Sequence, residues 1–141
     1  MQTLIKLIPE ISLFIVDNDY LFGMSVKRFL ENQIGENIAI TVFQNAETCL
    51  VVMKSREDKP ALVILDYSEN KDLHKRSTEQ TIKQIKELNP GAVIIVLSDR
   101  ADSLQATMAL ARGAQYFVLK DQFANEHIFS AVTKCLHPAK V

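Results

Sequence analysis

Three polar residues, Asp17, Asn18 and Asp19, follow directly on the apolar run ISLFIV at 11–16, and apolar spacing resumes at once after them. The same event recurs along the chain. LVIL ends in Asp66, VIIVL ends in Ser98 with Asp99 next, and YFVL ends in Lys120 with Asp121 next. If these termini meet, the carboxylates repel one another, and burial raises their pKa values unless a cation joins them. Oxygen-only donors suit Mg²⁺, which keeps several waters and takes one or two carboxylates together with phosphate oxygens. A lysine and a hydroxyl across from the metal would hold the remaining oxygens of a phosphoryl group. Asp66 would then be the nucleophile, forming an acyl phosphate.

That chemistry requires a scaffold that delivers four separate segments to one place. The apolar runs at 11–16, 61–66, 92–98 and 116–120 have strand length, and IAITVF at 38–43 makes a fifth with partial alternation. Those at 11–16, 61–66 and 92–98 are nearly continuous, the pattern of strands covered on both faces. Helical spacing fills the intervals. Phe22, Val26, Phe29 and Leu30 share one face. Ala46, Cys49, Leu50 and Met53 follow a cap at Asn45. Ile82, Ile85 and Leu88 precede the NPG stop at 89–91, and Leu104, Met108 and Ala111 are expected to be the inward face of a fourth helix closed by Gly113. The fifth opens at Phe123 or Asn125, carries Ile128, Val132, Cys135 and Leu136, and ends at Pro138. Strand and helix alternating five times predict an α/β fold, a doubly wound parallel sheet with right-handed crossovers. In such a sheet the carboxyl ends of the strands share one edge, where ligands bind. Residues 1–10 are read as an N-terminal extension, 11–138 as the domain and 139–141 as a tail.

Composition narrows the function classes. The chain has 141 residues, 48% of them hydrophobic and 23% charged, with a formal net charge of −1. That balance predicts a globular domain able to bury its own core and argues against direct nucleic-acid binding. Pro9 and Glu10 interrupt the apolar N-terminus, and no apolar run reaches membrane-spanning length, so a cytoplasmic protein is expected. Cys49 and Cys135 form no CxxC pair and read as reduced, buried thiols. His74, His127 and His137 lack ligand spacing with one another, and no GxGxxG occurs among the four glycines.

In the order and placement of these residues the chain resembles the receiver domains of bacterial response regulators, over about residues 11 to 137. ALARGAQYFVLK, at 109–120, is especially similar to the family's approach to its last strand. The resemblance implies a flavodoxin-like three-layer sandwich with strand order 2-1-3-4-5. It implies that Asp66 is the phosphoacceptor, that Lys120 and Ser98 assist at the phosphoryl group, and that Ser98 and Phe117 are the switch pair. Mg²⁺ would be held by Asp17, Asn18, Asp66 and the backbone carbonyl of Ser68. The phosphoryl donor would be a sensor histidine kinase or a histidine phosphotransfer protein. Output would pass to a downstream protein through the face of the fourth helix, fifth strand and fifth helix, with a phosphorylation-linked dimer as one form of that output. Such a chain is a signalling phosphoacceptor that catalyses only its own phosphorylation and dephosphorylation.

Three features depart from the family's pattern. Asn18 stands where a second acid is usual, and its uncharged amide oxygen predicts weaker metal binding. Asp19 is a further metal candidate, although its place before a helical pattern favours a cap. The segment after Asp66 lacks the usual Met-Pro and Gly and makes a loop roughly four residues longer than usual. Asp121 replaces the proline that often follows the lysine, so that turn is expected to be trans. Two alternatives remain open to the residues alone: a receiver-like binding module that is never phosphorylated, and a haloacid-dehalogenase-like phosphatase using Asp17 and Asp19.

Overall fold

The protein is described here by a computed structural model covering residues 11–55, 59–67 and 76–136. Five strands and five helices alternate: β1 (Ile11–Val16), α1 (Tyr20–Ile34), β2 (Ile38–Phe43), α2 (Ala46–Ser55), β3 (Leu62–Asp66), α3 (Thr78–Leu88), β4 (Val93–Ser98), α4 (Ser103–Arg112), β5 (Tyr116–Leu119) and α5 (Ala124–Leu136). The strands form one sheet in the order β2-β1-β3-β4-β5, and every pairing is parallel. This is the flavodoxin-like fold and the strand order expected from the sequence.

Alternation of side chains across the pleat divides the core in two. Leu13, Ile15, Ile40, Ile64, Ile95, Leu97 and Val118 face α1 and α5, where Val26, Leu30, Ile128 and Val132 meet them. Phe14, Val16, Val63, Leu65, Ile94 and Val96 face α2, α3 and α4, where Leu50, Met53, Ile82, Ile85 and Ala109 meet them. Both faces of the central strands are thus covered, which is why their sequences read as unbroken apolar runs.

Local signals set the helix boundaries. Asp19 caps α1 by accepting from Phe22 N, and Asn45 Oδ1 accepts from Thr48 N ahead of α2. Ser77 and Gln80 form a reciprocal capping box at the start of α3. Asp102 caps α4 through Leu104 N and Gln105 N. Gly113 ends α4 at φ 121°, a conformation that disfavours any side chain.

The fourth helix corrects the sequence reading. Its buried residues are Gln105 and Ala109, whereas Leu104 is 66% exposed, Met108 is 40% exposed and Ala111 also faces out. Apolar spacing alone pointed one position away from the true inward face. The Asp102 cap fixes where the helix starts, small Ala109 meets the core, and Gln105 finds a buried hydrogen-bond partner in Ser98. The fifth helix begins at Ala124, and Asp121 Oδ1 accepts from Phe123 N in the turn before it. Among the described residues no peptide bond is cis, and the Lys120–Asp121 bond is trans.

Candidate functional site

Register brings the polar strand ends together. Val16 pairs with Leu65, Asp66 with Leu97, and Ser98 with Leu119, so Asp17, Asp66, Ser98 and Lys120 occupy one edge of the sheet. Backbone bonds continue the ladder past the strand ends. Asp17 N donates to Phe43 O at 2.9 Å, Tyr67 N to Leu97 O at 2.6 Å, and Lys120 N to Ser98 O at 2.7 Å. The chemistry-bearing residues are therefore held by the sheet itself and not by mobile connections.

Lys120 joins the two carboxylates. Its Nζ lies 2.8 Å from Asp17 Oδ2 and 2.9 Å from Asp66 Oδ1. Asp17 is 1% exposed, and its other oxygen, Oδ1, accepts from Asp19 N at 2.9 Å. The Phe22 ring lies beneath the ammonium, with its centroid 4.5 Å from Nζ. This contact adds attraction from the ring face and limits where the lysine head can go.

The electrostatics are those of a site short of positive charge. Burial pushes the Asp66 carboxyl up to about 6; the Lys120 bond opposes that rise, while the charges of Asp17 and Asp99 add to it. Lys120 itself is lifted above its ordinary value: burial acts to lower it, but the bonds to Asp17 and Asp66 outweigh burial. With both acids ionised, two carboxylates share one ammonium. Asp17 Oδ2 is buried and receives no hydrogen bond beyond its ion-pair contact with Lys120. Among the described residues no group of three carboxylate, imidazole or thiol side chains converges as a ligand set. Two carboxylates with an under-compensated buried oxygen nevertheless fit Mg²⁺, which takes few protein ligands and fills its octahedron with water and phosphate oxygens.

The remaining candidates fall in different places. Ser98 is buried; its Oγ lies 3.0 Å from Arg100 O and 3.2 Å from Gln105 Oε1 as donor, and accepts from Arg100 N at 3.1 Å. Phe117 is partly buried against the core cluster that includes Ala109 and Ala114. Asn18 is exposed beside Asp17. Asp19 is exposed, and its carboxylate accepts from Phe22 N at 3.1 Å as the α1 cap. Asp121 is likewise engaged with Phe123 N. Ser68, with its carbonyl, lies outside the described residues, as do His74, His137 and most of the long segment after Asp66.

Three contributors were not singled out by sequence. Phe22 reads as one member of an apolar helix face, with nothing to signal its place under an ammonium. Gln105 reads as the polar neighbour of Leu104. Tyr67, next to the nucleophile candidate, donates its hydroxyl to Glu79 Oε1 at 2.7 Å and so ties the end of β3 to the first turn of α3. Cys49 is buried and its thiol is pushed up to about 12 by desolvation, which makes it unreactive. Among the described residues no helix is long and apolar enough to cross a membrane.

The family model for the response regulator receiver domain matches residues 13–133. No curated protein matches the chain in sequence. Among solved structures, the BeF3-activated DrrB receiver domain is 23% identical over 89% of this chain and 97% of that one, with a TM-score of 0.73. The OmpR/PhoB homologue DrrB of Thermotoga maritima is 24% identical with a TM-score of 0.70; the match covers 89% of this chain and 52% of that one, so the chain spans about half that regulator's length. The signal receiver domain of NarL from Mycobacterium tuberculosis is 20% identical over 94% of this chain and all of that domain, with a TM-score of 0.73. At these identities the structural matches speak to the fold.

Proposed function

Because the chain belongs to the response regulator receiver domain family, we propose that it accepts a phosphoryl group on Asp66 and signals through the resulting change in its own surface. The observation that carries this reading is the convergence of Asp17, Asp66 and Lys120 at the carboxyl edge of the sheet. A sensor histidine kinase or a histidine phosphotransfer protein is the donor. An Asp66 carboxylate oxygen attacks phosphorus, the O–P bond forms as the P–N bond of the phosphohistidine breaks, and the imidazole nitrogen leaves with the electron pair.

Asp17 and Asp66 would hold Mg²⁺, with the Asn18 amide oxygen and the Ser68 carbonyl as further ligands. When bound, Mg²⁺ supplies charge neutralisation to the phosphoryl oxygens. Lys120 provides a second positive charge and moves from bridging two carboxylates to pairing with a phosphoryl oxygen. Ser98 donates its hydroxyl to another oxygen. Phe117 responds to that movement, and the face of α4, β5 and α5 becomes the output surface for a protein partner or a second copy of the chain. The chain's own chemistry is confined to gaining and losing this group.

Family membership leaves the dehalogenase-like alternative without support. The non-phosphorylated binding module is favoured by the amide at Asn18 and by the altered segment after Asp66. Both are tested by incubation with acetyl phosphate and Mg²⁺, read by intact mass. The expected result is a phosphoryl adduct on the wild type that is absent from Asp66→Asn. No adduct at saturating acetyl phosphate, together with no beryllofluoride binding, would leave the binding module as the better reading.

A further inference from the structure

Gln105 is one of five buried polar residues among the described ones, and it sits on the inward face of α4, where the helical pattern would place an apolar side chain. Its Oε1 lies 3.2 Å from Ser98 Oγ. The same hydroxyl lies 3.0 Å from Arg100 O and accepts from Arg100 N at 3.1 Å. Ser98 has a single hydrogen to donate. Its lone proton is therefore already committed to the loop carbonyl or to α4, at a position where Ser98 is 2% exposed.

We propose that Gln105 is a positioning residue that holds the Ser98 hydroxyl toward α4 and so opposes its move to a phosphoryl oxygen on Asp66. This rests on the phosphoacceptor reading above. The physical reason is asymmetric. When Ser98 turns to a phosphoryl group, the buried Gln105 oxygen loses its share of a proton held in common with Arg100 O, and a buried acceptor left without a donor is costly. Either the switched arrangement carries that cost or α4 shifts until Gln105 finds a new donor. Both outcomes couple the state of one hydroxyl to the position of a helix. A shift of α4 would be felt outside, because Leu104 and Met108 stand exposed on the same helix. Gln105 thereby sets how far the unmodified protein lies from its switched form.

A substitution of matched length that removes the acceptor, Gln105→Met, should favour the switched arrangement. Beryllofluoride with Mg²⁺ is the probe, and its affinity is measured in four proteins: wild type, Gln105→Met, Ser98→Ala and the double variant. Affinity is expected to rise roughly fivefold in Gln105→Met and to be unaffected by the same substitution when Ser98 is already alanine, because coupled neighbours lose their effects together. An equal gain in the Ser98→Ala background would mean that Gln105 acts through packing alone and would overturn the proposal, as would unchanged or weaker affinity in Gln105→Met. Gln105→Ala serves as a second acceptor-free variant if the methionine perturbs the fold.

A ligand-free measurement separates this idea from the phosphoacceptor reading. Amide hydrogen exchange at Arg100, whose N–H donates to Ser98 Oγ, should accelerate in Gln105→Met while the β3 amides stay protected. If the wild type binds no beryllofluoride, the phosphoacceptor reading falls and this exchange result alone decides whether Gln105 holds Ser98. Unchanged exchange at Arg100 overturns it.

Discussion

At the scale of single residues, the site is governed by how much negative charge the sheet edge can hold. Asp66 has its pKa raised from 3.8 to about 6, chiefly by burial. A folded-state pKa above the unfolded one means that the native protein binds the proton more tightly, so the contribution to stability is fully present below about 3.8 and is lost as pH rises through 6. Without metal, the ionised Asp66 thus weighs against folding at neutral pH. The shift corresponds to roughly 3 kcal/mol, which solvent screening of a partly exposed side chain reduces to about 1–2 kcal/mol. Asp66→Asn in EDTA should be more stable than wild type by that amount at pH 7.5 and indistinguishable from it below pH 4, measured by urea unfolding. Equal stability at both pH values would contradict the charge argument. Phe22 supplies the complementary case. A ring beneath an ammonium is worth about 0.5–2 kcal/mol, so Phe22→Leu should slow adduct formation from acetyl phosphate by about 2- to 30-fold. Phe22→Tyr, which keeps the ring, should stay near wild type; if both variants behave alike, the ring face is not what holds Lys120.

At the scale of elements, one letter of sequence can serve two roles, and only the surrounding geometry separates them. Asp19 stood both as a cap and as a metal ligand, and its carboxylate lies on Phe22 N. Asp19→Ala should therefore cost about 1 kcal/mol of stability, with most of it restored by Asp19→Ser, while Mg²⁺ affinity by titration stays within about twofold. A tenfold loss of affinity in both variants would make Asp19 a metal ligand. The strand-end residues were legible beforehand because parallel strands buried on both faces leave few places for polar groups. Asp17, Asp66, Ser98 and Lys120 stand out against the unbroken apolar runs for that reason. The face of α4 was not legible. Leu104, Met108 and Ala111 satisfy helical spacing as well as Gln105 and Ala109 do, and the choice is made by the Asp102 cap and by a bond from Gln105 to a residue seven positions earlier. A hydrogen bond between two distant polar side chains has no periodicity for a sequence reading to detect.

At the scale of the whole molecule, the site and the fold share the same strands, so ligand binding should be felt as global stability. β1, β3, β4 and β5 each end at or next to a residue of the site, and the backbone ladder runs on through Asp17, Tyr67 and Lys120. These strands also carry the core, through Leu13, Ile15, Ile64, Ile95 and Leu97 on one face and Phe14, Val63, Ile94 and Val96 on the other. Unfolding must therefore disperse the pocket, and a ligand that needs Asp17, Asp66 and Lys120 together binds only the native state. At a hundredfold excess over its dissociation constant such a ligand stabilises by about 2.7 kcal/mol, equivalent to roughly 5–15 °C in Tm for a domain of this size. Beryllofluoride with Mg²⁺ should produce that rise in the wild type. Mg²⁺ alone should produce a smaller one, since Asn18 brings no charge to the metal. Neither Asp66→Asn nor Lys120→Ala should respond to beryllofluoride to the same degree, because each removes a group from the convergence without removing a strand. A rise in Tm that persisted in Asp66→Asn would place the ligand somewhere other than this edge of the sheet.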